Sequence, residues 1–311
     1  MTLTPSAIGE AVKAGLQAAL AVKGGANASY IPYLAGVPSN LCGVCAVTPD
    51  GQMFEAGDTR YGFAIESISK VFTLALALEQ SGREAVRAKI GTRPTGLPFN
   101  SVMALELHGD KPLSPLVNAG AIATASLIKA SGREDRWNQI LGCYRSFANA
   151  DLPLSKEVNA SEQATNLHNR AIAWLLASAG YSYCDPLEAL DVYTRQCSVL
   201  VTCAELAAMA GTLANRGVNP LSRKAVVRAE NVPAILAEMT IEGLYDASGD
   251  WAFEVGLPGK SGVGGGVLSV APGKLGIAAF SPPLDQWGNS IRAQKAVATV
   301  ARTLDLNLYA G

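Results

Sequence analysis

The sequence predicts an α/β protein: an antiparallel sheet built from both termini with flanking helices, and a mostly helical lobe between them. Three observations carry this. Strand-like segments bounded by turn residues gather near the two ends of the chain. Between about Glu84 and Glu242 the apolar positions follow helical spacing, with little strand signal. The chain has 311 residues, of which 49% are hydrophobic, enough for a sizeable core. The expected organisation is a single unit spanning residues 1–311, with one lobe from 1–65 plus 245–311 and the helical lobe from 66–244.

In order along the chain, Pro5 to Ala21 reads as an Ala- and Leu-rich helix that stops near Gly24-Gly25. Leu41 to Val47, the turn Pro49-Asp50-Gly51 and Gln52 to Ala56 read as a β-hairpin. Ser114-Pro115 signals the start of a helix from Leu116 to Ala130, with Asn118 in its first turn beside the small residues Ala119, Gly120 and Ala121. A helix from Ser161 to Ala179 carries Glu162, Asn166 and Asn169 as one polar stripe. Asp185-Pro186 caps the helix bearing Tyr193, and Thr202 with Glu205 forms a capping box. Pro233 opens a helix that fades toward Tyr245. Trp251 to Val255, Gly266 to Val270 and Leu275 to Phe280 read as strands, the last two joined by a hairpin, and Ser290 to Leu304 as an amphipathic helix.

The segment Phe63 to Glu79, FAIESISKVFTLALALE, is the expected centre of fold and chemistry. From Val71 to Leu78 its only polar residue is Thr73, so as a helix it must be buried all round. Ser67 and Lys70 precede that run with helical spacing. A serine hydroxyl needs a neighbouring base to attack a carbonyl, and Lys70 serves only if neutral, a state favoured by burial and by the positive first turn of a helix. A second such pair, Ser126 and Lys129, closes a helix before Gly132 and reads as structural.

The segment Gly256 to Gly266 mimics a phosphate loop, but position 254, where the first glycine of that motif belongs, is Glu254. Lys260-Ser261-Gly262 matches instead the third element of serine acyl-transfer enzymes. It places charge and a hydroxyl along one cleft wall, with the Val263 N–H beside that of Ser67 to hold an oxyanion.

A formal net charge of -1 gives no reason to expect nucleic acid or an anionic membrane as partner. No apolar run approaches a membrane span, and Glu10 and Lys13 interrupt the first helix, so the expected location is cytoplasmic. Cys42 and Cys45 stand three apart on a strand and should face opposite sides. With only two histidines in the chain, zinc is not expected.

The segments FAIESISKVFTLALALE, GLPFNS, PLSPLVNAGAIA, SEQATNLHNRAIAWLL, DVYTRQCS and GLPGKSGVGGG followed by GIAAFSPPLD resemble the serine-dependent bacterial glutaminases, whose fold is like that of serine β-lactamases. The resemblance spans nearly the whole chain. It implies hydrolysis of L-glutamine to L-glutamate and ammonia without cofactor or metal, with Ser67 as nucleophile and Lys70 as its base. It implies substrate contacts at Ser67, Asn118, Glu162, Asn169, Tyr193, Tyr245 and the backbone of Val263, and a homo-oligomer, dimer or tetramer. Tyr30 also matches a site tyrosine of the family; Tyr30 and Tyr245 both stand as proton relays. Two rivals are weighed: a penicillin-binding or β-lactamase-type hydrolase, disfavoured by the missing export signal and the lack of a clear S-x-N or Y-x-N motif, and a silent glutamine-binding protein, disfavoured by intact Ser67, Lys70 and Lys260.

Overall fold

The computed structural model describes residues 3–310. The strands are β1 (Gly43–Val47), β2 (Met53–Gly57), β3 (Phe63–Ala64), β4 (Leu200–Val201), β5 (Gly259–Ser261), β6 (Gly266–Ala271) and β7 (Leu275–Phe280). Five of them form one antiparallel sheet in the order β2-β1-β7-β6-β5, so strands from the two ends of the chain meet at β1 and β7. β3 and β4 pair separately.

Helices Pro5–Leu20 and Ile291–Thr303 cover one face of the sheet and pack on each other; helix Cys203–Ala214 covers the opposite face. β1 is therefore buried on both sides, and its side chains alternate between two cores. Val44 and Ala46 join the cluster under the terminal helices, while Cys45 and Val47 join the larger core of the helical region. Cys42 falls in the first cluster and Cys45 in the second, both free, as the strand spacing requires.

Several predicted elements differ. Trp251 to Val255 is not a strand but mostly the end of helix Ser248–Glu254. On a strand Trp251, Phe253 and Val255 would share a face. Here Trp251 and Val255 are buried while Phe253 is 86% exposed, the pattern of a helix. The short strand β5 takes the sheet position instead. The Ser161 to Ala179 helix is two, Lys156–Thr165 and Leu167–Ser178, separated at Asn166. The side-chain amide of Asn166 is engaged locally by Gln163 and Arg170, which competes with helix continuation. The helix predicted from Leu116 spans Asn118–Leu127. A Cβ on Gly120 would lie 1.7 Å from the Ser114 carbonyl oxygen, so the chain's own loop occupies the space those small residues leave.

Helix Ser69–Ser81 is buried from Val71 to Leu78 except at Leu76. Ser67 precedes it on a 3-10 turn, Glu66–Ile68. The chain enters that turn from β3 with the Ile65 N–H bonded to Val199 O and with Glu66 at φ 50, in the left-handed region a non-glycine residue seldom adopts. Among the described residues no helix is long and apolar enough to cross a membrane.

Candidate active site

The 3-10 turn, the start of helix Asn118–Leu127, the two helices around Asn166 and the glycine-rich segment before β6 converge on one cavity of about 200 Å³. Ser67, Asn118, Glu162, Asn169, Tyr193, Tyr30 and Val263 all line it. A larger hollow of about 550 Å³ between helices Ser69–Ser81 and Val232–Glu242 contains none of them.

Lys70, in the first turn of the buried helix, is sealed from solvent. Its Nζ donates to Asn118 Oδ1 at 2.7 Å, and the Tyr193 hydroxyl donates to the same oxygen at 3.0 Å. Asn118 Nδ2 in turn donates to Asn169 Oδ1 at 3.0 Å. One amide thus ties the predicted base to two predicted substrate-binding residues. Burial lowers the Lys70 ammonium from 10.5 to about 8, against the opposing pull of Cys197, Glu66, Glu242 and Glu162. Ser67 and Lys70 are not hydrogen-bonded to each other; the Ser67 hydroxyl instead neighbours the Tyr245 phenol.

Tyr245 heads a 3-10 turn at φ 56, with its ring against Phe99 at a centroid distance of 4.4 Å. Burial raises its phenol well above the ordinary range, with the Ser67 hydroxyl offsetting part of the rise. Tyr30 also lines the cavity; the residue is 57% exposed, but burial raises its phenol well above the ordinary range, with Glu66, Tyr245 and Glu162 adding to the rise. The sequence leaves the two tyrosines equivalent as relays; in the structure the Ser67 hydroxyl neighbours the phenol of Tyr245.

Lys260 and Ser261 do not line the cavity but lie behind Tyr245. The Lys260 Nζ sits 4.1 Å from that ring and donates to the carbonyls of Gly243 (2.8 Å) and Ser261 (2.7 Å). Burial, with the charge of Lys70 adding to it, pushes the Lys260 ammonium well below its ordinary range. The two carbonyls and the Tyr245 ring take up this side chain, so it does not reach the cavity wall expected at this position. Ser261 Oγ donates to Asn289 Oδ1. The glycine-rich segment lies directly on the Ser67 turn: a Cβ on Gly264 would meet Ala64 O at 2.2 Å. This contact brings Val263 to the cavity. Among the described residues neither the Ser67 nor the Val263 N–H donates to a turn, loop or side-chain acceptor.

Sequence reasoning overlooked Glu66 and Cys197. Both line the cavity, and with Glu162 they bring their ligand atoms within 4.8 Å of one another. A carboxylate wedged between the apolar residues Ile65 and Ile68, immediately before Ser67, was the available signal. His168 also lines the cavity, its Nε2 2.6 Å from Asn100 O.

A family model described as Glutaminase matches residues 25–309. Relatives named Glutaminase in Mycobacterium ulcerans and Brucella canis are 65% and 63% identical, the first covering 92% of this chain and 89% of its own length, the second 99% and 98%. A solved structure described as a probable glutaminase, ybaS, has a TM-score of 0.98 and 62% identity, covering 99% of this chain and 100% of that one. Mglu in its tris and glutamate form has a TM-score of 0.92 and 33% identity, covering 100% of this chain and 69% of that one. Sheet, helices and these neighbours define an α/β protein with the serine β-lactamase-like fold. The chain belongs to the glutaminase family. Its activity is that family's, hydrolysis of the side-chain amide of glutamine.

Proposed function

We propose that hydrolysis proceeds by acyl transfer through Ser67, with Lys70 as general base. The observation that carries this reading is the sealed Lys70 amine, lowered to about 8 and held by Asn118 against the cavity that Ser67 lines. Neutral Lys70 takes the Ser67 proton as Oγ bonds to the amide carbon of glutamine. The N–H groups of Ser67 and Val263 receive the oxyanion. Collapse breaks the C–N bond, and the departing nitrogen takes the proton from Lys70, relayed by Tyr245, to leave as ammonia. Lys70 then takes a proton from water as the water oxygen bonds to the ester carbon; the C–Oγ bond breaks, Lys70 returns that proton to Ser67 Oγ, and glutamate is released. The Ser67 hydroxyl beside its phenol favours Tyr245 over Tyr30 as the relay.

At the other end of the substrate, Glu162 takes the α-ammonium, while Asn118, Asn169 and Tyr193 take the α-carboxylate side. Mglu is described in a glutamate form, which supports a cavity shaped for this amino acid and its amide. Lys260 and Ser261 act from behind, seating Tyr245. Ser67→Ala should abolish ammonia release while circular dichroism and melting remain native. Substantial activity in that variant would remove Ser67 as nucleophile.

The protein is further read as a cytoplasmic homo-oligomer, dimer or tetramer. Six free cysteines suit a reducing compartment. Exposed Leu167, Trp174 and Phe253 are apolar surface that assembly would cover. Light scattering on the purified chain measures the oligomer, and a monomer at micromolar concentration contradicts it.

A further inference from the structure

We infer that Glu66 and Glu162 act as one proton-sharing carboxyl pair at the amine end of the cavity, and that the α-ammonium of glutamine binds by displacing the shared proton to solvent. This rests on the placement of the α-ammonium at Glu162 given above.

The geometry is unusual for two acids. Glu66 is 3% exposed and Glu162 9%, yet they face each other across the cavity wall with no arginine in contact with either. An Oε1 of each is buried without a hydrogen-bond partner among the described residues. Glu66 is held there by a left-handed backbone conformation, in a turn locked on one side by β3 and on the other by the helix carrying Lys70. Two buried carboxylates this close cannot both ionise, and a proton between them is the least costly arrangement. Burial raises both groups, Glu162 to about 7 and Glu66 further because the Glu162 charge adds to it. The groups facing the pair are Lys70 from the buried helix, Tyr193 and Cys197 from helix Pro186–Cys197, Tyr245 from its 3-10 turn, and Tyr30 and His168 on the cavity wall. Lys70 is the only lysine or arginine among them, and its ammonium is engaged by Asn118.

An arriving ammonium supplies the charge that lets both carboxyls ionise. The N–H bonds of the substrate satisfy the unpartnered oxygens, and the proton that had bridged them goes to buffer. Glu66 thereby becomes a substrate-contacting specificity residue: an amide lacking the α-amino group leaves the pair protonated and gains nothing from it.

The test uses the Ser67→Ala protein, in which glutamine binds without turnover, titrated calorimetrically between pH 5.5 and 8.5 in buffers of different ionisation enthalpy. Close to one proton should be released per glutamine near pH 8, where Glu162, at about 7, has lost its own proton and the pair holds one, with affinity there rising about tenfold per pH unit. Adding Glu66→Gln, which keeps shape but cannot share a proton, should remove that release and flatten the profile. Lys70 and His168 are common to both proteins, so the difference belongs to the pair. No proton release from the Ser67→Ala protein, or equal release after Glu66→Gln, overturns the inference while leaving the placement at Glu162 intact. Undiminished glutamine affinity in a Glu162→Gln variant overturns that placement instead.

Discussion

Replacing Asn118 by Asp changes one atom type at the point where the general base is tethered. The Lys70 ammonium, lowered from 10.5 to about 8, leaves about a quarter of the molecules with a neutral amine at pH 7.5. The Asn118 Oδ1 that accepts from Lys70 at 2.7 Å would become part of a carboxylate. An opposite charge at contact distance raises such a group by about 1 to 3 pH units, offsetting much of what burial does. The rate under saturating glutamine should then fall about tenfold to a thousandfold at pH 7.5, because the active form is the deprotonated one. Its rise with pH should move to a higher midpoint, and the deficit should shrink above pH 9.5. The assay is ammonia release at saturating substrate from pH 6 to 10.5, which separates this from weakened binding. A uniform loss at every pH, with the midpoint unmoved, would show that Lys70 does not act as the base.

Three further outcomes are expected. Lys260→Met strands the carbonyls of Gly243 and Ser261 and withdraws the amine from the Tyr245 ring, so stability in urea should drop by about 2 to 3 kcal/mol and turnover should fall more than KM rises. Unchanged stability would contradict the role given to those two bonds. Gly264→Ala forces a Cβ against Ala64 O, so the melt should lose about 1 to 3 kcal/mol and activity should fall as Val263 is pushed off the Ser67 turn; full activity counts against that positioning. The raised carboxyl of Glu162, ordinarily 4.5 and here about 7, binds its proton more tightly folded than unfolded. Its contribution is fully present below pH 4.5 and is lost as pH rises through 7. Between pH 5.5 and 8 the parent should therefore lose melting temperature relative to Glu162→Gln, and parallel curves would deny the shift.

The elements that were legible are those whose burial the residue pattern encodes locally. The apolar run from Val71 to Leu78 and the short apolar runs of β1, β6 and β7 between turn residues need no tertiary information. Trp251 to Val255 misled because five residues with apolar side chains at the first, third and fifth positions satisfy both periods. Only the exposure of Phe253 decides between them. At the site, residue type and spacing singled out Ser67 with Lys70, and the family resemblance pointed to Asn118 and Glu162. Glu66 went unseen because a lone acid in sequence reads as a solvated one. Its burial depends on Glu162, distant in sequence, sharing the same pocket. The placement of Lys260 behind Tyr245 was equally invisible, since it is set by two carbonyls and an aromatic ring that meet only after folding.

The pairing of β1 with β7 governs how the molecule is made. Translation delivers β1 and β2 early and their central partner among the last segments, so a nascent chain carries an open strand edge until almost the end of synthesis. The turn that presents Ser67 leans on Gly264, which also arrives late. A ribosome stalled before the last hairpin therefore holds a polypeptide with most of its helices made and no competence to turn over glutamine.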